Sequence, residues 1–390
     1  MAKNIEKLLV KFFTDSATPA DLEILTEWVK DPKNRVLFQN FVETHVAINY
    51  NINAAKAQNA VEDFLKIIRK EKTLVYRIKR NPIYKLAIAA SVLIIVTLSL
   101  FLNSVNDSES QIIAPVIVNN QIESGTDKAT LTLEDGSQII LEKGTSFQTQ
   151  NIDSDGEQLV YEADVDNEED VELVYNYLTI PRGGQFSINL SDGTKVWLNS
   201  ETQLKYPKTF IEGQTRQVEL LYGEIYLSVS PSSAHNGDKF KVKTKFQEVE
   251  VLGTEFNIKA YQDEHHVYTT LVEGKVSVSN AHDKMLLNPS EQSIVGTDKG
   301  FQKRNDINVH DIISWRKGVF SFNGKPLKEI MKVLSRWYDM DVIFENEDIK
   351  NTKFIGVLGK EQEIEDILNS ILGSGFINSY QIKDKTVRLK

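Results

Sequence analysis

His45, His235, His265, His266, His282 and His310 are the side chains that would carry metal or acid–base chemistry in this chain. None stands in H-E-x-x-H spacing, and with no Cys the sequence excludes thiolate zinc sites, iron–sulfur clusters, disulfides and a thiol nucleophile. His265 and His266 are adjacent, so on a strand they point to opposite faces and do not converge on one ion. No G-x-S-x-G, Walker or dinucleotide glycine motif occurs. Asp192, Glu201 and Glu219 have the chemistry of a glycosidase pair, but nothing in the sequence brings two of them together. Asn151, Asp153, Asp155, Gly156 and Glu162 approach the spacing of a calcium loop. Asn replaces the first acid and no helical pattern flanks it, so a tight hairpin turn at Asp155-Gly156 is the preferred reading. The expectation is a chain with no catalytic constellation, no metal and no cofactor.

Stepping from side chains to segments, the chain has 390 residues, 26% charged and 41% hydrophobic, with a net charge of −10. That composition is not that of a disordered chain, and the acidity excludes a global nucleic-acid binder, so no direct nucleic-acid contact is expected. The charge is unevenly spread: residues 1–85 carry +5 and the remainder −15. Leu86 to Leu102 run without a charged residue, Asn, Gln, Gly or Pro. At about 1.5 Å per residue this stretch is near the short end for crossing a bilayer. Arg69, Lys70, Lys72, Arg77, Lys79, Arg80 and Lys85 precede it, and the next basic residue is Lys128. The positive-inside rule then places the N-terminus in the cytoplasm and the rest in the periplasm, with the protein single-pass in the inner membrane.

Before that run, residues 1–80 read as helices. Leu8, Leu9, Phe12 and Phe13 share one face, and Leu22, Leu25, Trp28 and Val29 form a second stripe after a Thr18-Pro19 start. A third helix carries Leu37, Phe38 and Phe41. So few residues bury only a modest core, which leaves Phe12, Phe13, Leu22, Leu25, Trp28 and Phe38 as candidate contacts for a cytoplasmic partner. Each has core packing as its competing role.

Beyond a polar linker near 103–110, period-two alternation takes over. Leu133 to Leu141 and Leu190 to Leu198 align as hairpins turning at Asp-Gly, and Leu220 to Leu227 echoes Leu271 to Val278. Stacked hairpins in a sandwich or short solenoid are expected. Residues 318–390 change again: Pro326 opens a helix striped with Leu327, Ile330, Met331 and Leu334. Trp337 and Tyr338 at its end are candidate partner contacts. A second helix carries Ile364, Ile367, Leu368 and Ile371, and a hairpin turns at Asp384-Lys385. The expected fold class is thus multidomain. It comprises a small all-α cytoplasmic head (1–80), one transmembrane helix (83–103), an all-β periplasmic domain (111–300) and a C-terminal α+β domain (318–390).

Leu190-Ser191-Asp192-Gly193-Thr194-Lys195-Val196-Trp197-Leu198-Asn199-Ser200, with Leu204-Lys205-Tyr206-Pro207, resembles the FecR family of transmembrane anti-sigma factors. Tyr222-Gly223-Glu224-Ile225-Tyr226 and Val251-Leu252-Gly253-Thr254-Glu255-Phe256 support it. The Phe320 to Phe344 block is similar to the C-terminal domain paired with FecR and to the short N-terminal domains of secretins and TonB-dependent transporters. The resemblance implies a head that holds an extracytoplasmic-function sigma factor, and a periplasmic part that senses the signalling domain of a TonB-dependent outer-membrane transporter. Periplasmic and intramembrane proteases then release the sigma factor. It further implies self-cleavage at a Gly-Thr bond, for which Gly253-Thr254 is the matching step. The competing reading of that step is a plain strand start. Residues 125–178 look like an expansion of the outer domain. From a different class, a membrane-tethered periplasmic glycan-binding protein would use Trp197, Tyr206, Tyr222 and Tyr226 as stacking platforms.

Overall fold

Alternation sets the architecture. Along Gly184–Asn189 and Lys195–Leu198 every second residue is buried, so Phe186, Ile188, Val196 and Leu198 face one core. The turn between them is closed by Asp192, whose carboxylate accepts from the Thr194 amide, with Gly193 at φ +79°. The same device closes Thr126–Thr132 on Gln138–Glu142, where Asp135 accepts from the Ser137 amide. The computed structural model describes Ile24, Trp28 and residues 115–149, 152–161, 173–296 and 300–390.

Two sheets face each other across that core. The first runs Gln138–Glu142, Thr126–Thr132, Tyr175–Ile180, Thr202–Pro207, the first half of Arg216–Ser228, Phe240–Lys243, Glu248–Val251, Val276–Ser279 and Lys284–Leu287. The second runs Phe147–Gln148, Ile152–Ser154, Gln158–Tyr161, Gly184–Asn189, Lys195–Leu198, the second half of Arg216–Ser228, Glu255–Ala260, His266–Glu273, Gln292–Gly296 and Phe301–Arg304. The 13-residue strand Arg216–Ser228 belongs to both. It turns the corner at Gly223, φ +103°, where a Cβ would lie 2.2 Å from the Thr202 hydroxyl. Only glycine fits such a bend. Gly274, φ +95°, marks the equivalent corner between His266–Glu273 and Val276–Ser279. The echo between residues 220–227 and 271–278 is thus a repeated sheet corner.

The C-terminal residues form α1 (Val309–Ile313), the strand Val319–Pro326, α2 (Leu327–Trp337), the strands Asp341–Phe344 and Lys353–Gly359, α3 (Ile364–Gly373), and the hairpin Tyr380–Lys383/Thr386–Leu389. Leu327, Ile330, Met331 and Leu334 of α2 and Ile364, Ile367, Leu368 and Ile371 of α3 are buried in one core. A four-stranded sheet backs them, and its first strand, Val116–Val118, comes from the other end of the described chain.

The expected fold class needs correction. The described residues are mostly β, with eighteen strands hydrogen-bonded into one barrel-like assembly, and no all-α head is among them. Among the described residues no helix is long and apolar enough to cross a membrane. The apolar run 86–102 lies outside them, as does the head apart from Ile24 and Trp28, which are helical. The β and α+β parts each keep a core of their own, and the two lie in contact. Tyr226, Trp197 and Val272 of the second sheet's outer face are packed into the C-terminal core. That face is apolar enough to need a cover, and the C-terminal module provides it.

Candidate functional site

The outward positions of Lys195–Leu198 and of the second half of Arg216–Ser228 carry large side chains where a solvated sheet would carry small polar ones. Trp197 and Tyr226 meet edge to face with ring centroids 5.7 Å apart. The guanidinium of Arg316 lies over both rings, 3.9 Å from the Tyr226 centroid and 4.9 Å from that of Trp197. The Tyr226 hydroxyl donates to Glu255. Burial and that carboxylate raise the phenol pKa far above its ordinary range.

Beside these rings sits a buried polar cluster. Glu224 accepts from Asn199 Nδ2 and Asn257 Nδ2, both at 3.0 Å, and the Trp315 indole reaches Asn257 Oδ1 at 3.4 Å. Burial pushes the Glu224 carboxyl pKa up, and the Lys259 charge and the two amide donors oppose that. Lys360, 3% exposed, enters from the C-terminal module. Its ammonium lies 3.9 Å from the Trp337 centroid, with Phe320 at 5.3 Å and Trp315 at 5.7 Å, and donates to Gln185 Oε1 at 2.8 Å. Gln185 in turn donates to Asp127. Desolvation pulls the Lys360 pKa down to about 7, against the opposing charges of Glu224 and Asp127. Aromatic faces and one amide oxygen replace part of the hydration that a buried ammonium loses.

Arginines clamp the rim of this joint. Arg336 of α2 stacks on Tyr261 at 3.5 Å and bonds Glu201, Asp263 and Glu264. Arg182 donates to the carbonyls of Ser335 and Met340, and the Gly183 amide donates to the Arg336 carbonyl at 2.7 Å. A cleft of about 320 Å³ opens at one side, lined by Asp127, Glu157, Gln185, Trp197, Trp315 and Arg316 among others.

Trp337 and Tyr338, named as candidate partner contacts, lie in the C-terminal core. They are 4% and 1% exposed, and their indole and phenol donate to the Lys360 and Gln362 carbonyls of their own module. Tyr206 and Tyr226 are fully buried and Arg316 covers Trp197, so the stacking platform expected of a glycan binder is not assembled. Asp192 pairs with Arg216 at 2.7 Å and Glu201 with Arg336, so both of these acids are engaged in ion pairs. Asp155 caps its own turn, accepting from the Glu157 and Gln158 amides, and among the described residues no cluster of His, Asp and Glu could hold a metal ion. His235 bonds Ser230 at 2.8 Å, and among the described residues no carboxylate orients its other nitrogen. Gly253, φ +148°, sits against Pro231, and Thr254 is buried with its hydroxyl donating to the Lys275 carbonyl at 3.0 Å. A peptide carbonyl is no general base, so this hydroxyl is tied to its neighbour strand. Trp28 is half-buried and Ile24 exposed, whereas Phe12, Phe13, Leu22, Leu25 and Phe38 lie outside the described residues. Sequence reading missed Lys360, Arg336 and Arg216, which carry no motif, and the buried role of Glu224 within the Tyr222–Tyr226 segment.

Fold and joint together define, among the described residues, two modules, with the α+β module seated on the outer face of a double sheet. Two regions of the chain match FecR-family models: residues 176–277 match the model for FecR protein and residues 319–389 that for FecR, C-terminal. Two crystal structures of a candidate anti-sigma factor from Parabacteroides distasonis ATCC 8503 are similar, each at 29% identity over 55% of this chain and 98% of that chain, with a TM-score of 0.49. A comparison with curated proteins finds no match.

Proposed function

We propose that this chain is an anti-sigma factor that withholds an extracytoplasmic-function sigma factor and relays a signal to it from the periplasm. The observation that carries the reading is the ordered pair of FecR-family regions, 176–277 and 319–389. The basic flank and apolar run before Leu102 support an inner-membrane location with the N-terminus in the cytoplasm. On this reading residues 1–80 contact the sigma factor, and the joined modules contact the signalling domain of a TonB-dependent outer-membrane transporter. Periplasmic and intramembrane proteases then free the sigma factor, and the chain's own role is regulatory. The buried joint suits a relay, because contact on one module is felt by the other through Lys360 and Arg336 and not through a flexible linker.

The transducer half is tested with the full-length chain in detergent and the signalling domain of the transporter encoded beside it. Saturable binding in surface plasmon resonance is expected, and its absence would remove the transporter from the account.

A further inference from the structure

The segment that leads into the β assembly first crosses the C-terminal module. Val116, Ile117 and Val118 pair in parallel with Gln381, Ile382 and Lys383 and supply the outermost strand of the four-stranded sheet. Few contacts hold this strand. Its three side chains are 50%, 43% and 47% exposed. Beyond the ladder it is tied by the Asp384 amide to the Val118 carbonyl at 3.2 Å and by Asn119 Nδ2 to Asp384 Oδ1 at 2.8 Å, and the residues after it by Asn120 Nδ2 to Glu365 Oε1 at 2.8 Å and the Gln121 amide to the Asp384 carbonyl at 3.3 Å. Asn119 has φ +50°, a left-handed conformation that few residues other than Gly adopt. Four residues on, the chain is locked: Ile122 is 8% exposed inside the C-terminal core, and Gly125 lies so close to Trp337 that a Cβ would come within 2.8 Å of its ring. A loosely held strand thus ends at a fixed hinge.

We propose that Val116–Val118 is a displaceable strap, and that the sheet edge beneath it, Tyr380–Lys383, is a docking site for an extended β-strand of a partner protein. The present occupant shows what the edge accepts: a short, β-branched, apolar strand running parallel to it. Adding a strand to an exposed edge is a general mode of peptide recognition, in which the backbone supplies affinity and side chains supply register. Lys383 makes no ion pair among the described residues and stands beside Val118, so an incoming strand with an acid at that register gains a contact the strap lacks. The opposite edge, Asp341–Phe344, is flanked by charges, with Asp341 near Arg182 and Glu345 paired to Arg388 and Lys390. Charged edges resist strand addition. Displacement frees residues 115–121 up to the Ile122 hinge, on the side from which the chain arrives. The proposal rests on the anti-sigma reading only for the source of the partner strand.

The absence of Cys makes the strap easy to pin. Val116→Cys/Gln381→Cys joins two residues in register, within the separation a disulfide spans. The probe is a fluorescein-labelled peptide of residues 115–121, with a second version carrying Val118→Glu, titrated into the full-length chain by fluorescence anisotropy. The reduced double variant is expected to bind as wild type does, to lose binding when oxidised and to regain it on reduction. Ile117→Pro, which breaks the strap's pairing in cis, is expected to bind the peptide roughly tenfold or more tightly, because the tethered competitor is gone. The Val118→Glu peptide should bind more tightly than the native one, and a Lys383→Met chain should erase that gain. Binding unaffected by the disulfide, or no binding to the Ile117→Pro chain, overturns the proposal. Neither result bears on sigma-factor capture, so the two readings fail separately.

Discussion

Lys360 and Arg216 show how buried charge is used here. In the folded chain Lys360 has a pKa of about 7 against an ordinary 10.5. Between those values the unfolded chain binds a proton that the folded chain does not, so stability rises with pH over that window and is flat below it. Denaturant midpoints measured from pH 7 to about 10 should therefore rise in wild type, and the slope should shrink in Lys360→Met. An unchanged slope would mean that the ammonium is not buried at the joint. Arg216 and Asp192 form an ion pair in which both side chains are 2% exposed. Arg216→Ala strands the Asp192 charge and should cost about 3–5 kcal/mol in urea unfolding, whereas Arg216→Met with Asp192→Asn should recover much of that loss. None of this was legible in the sequence. The Asp192-Gly193 turn was read correctly, yet the arginine that completes it is 24 residues away, Gln185 and Lys360 are 175 apart, and Glu201 and Arg336 are 135 apart. Motif spacing sees neighbours along the chain, and these pairs exist only after folding.

At the level of elements the sequence was more informative, because hairpins and helices are decided locally. Asp135-Gly136, Asp155-Gly156, Asp192-Gly193 and Asp384-Lys385 all turn where expected, and the stripes of α2 and α3 are buried as their 3.6-residue period required. The echo around Gly223 and Gly274 was visible as repetition, but its meaning depended on which sheet each half joins. That difference predicts unequal costs. Gly136→Ala meets open space at φ +82° and should lose about 1–2 kcal/mol from the left-handed backbone alone. Gly223→Ala adds a collision with the Thr202 side chain and backbone, and should lose clearly more, with the corner between the sheets disturbed. Equal losses in thermal unfolding would contradict the corner assignment.

For the whole molecule, the match to the FecR-family models was legible from the 190–207 and 320–344 motifs, and the manner in which the two regions join was not. An outer sheet face bearing Trp197, Tyr226 and Val272 cannot be left to water, and the C-terminal core closes over it. Trp337 and Tyr338, read from sequence as candidate partner contacts, are buried in that core. On the proposed function this chain holds an extracytoplasmic-function sigma factor, and capture of that partner is the sharpest test. The full-length chain, affinity-tagged at its C-terminus and expressed with the extracytoplasmic-function sigma factor encoded beside it, should co-purify with that sigma factor as a stable complex that lowers transcription from a promoter the sigma factor serves. A sigma factor that elutes free, with promoter activity the same whether or not the chain is present, would contradict it.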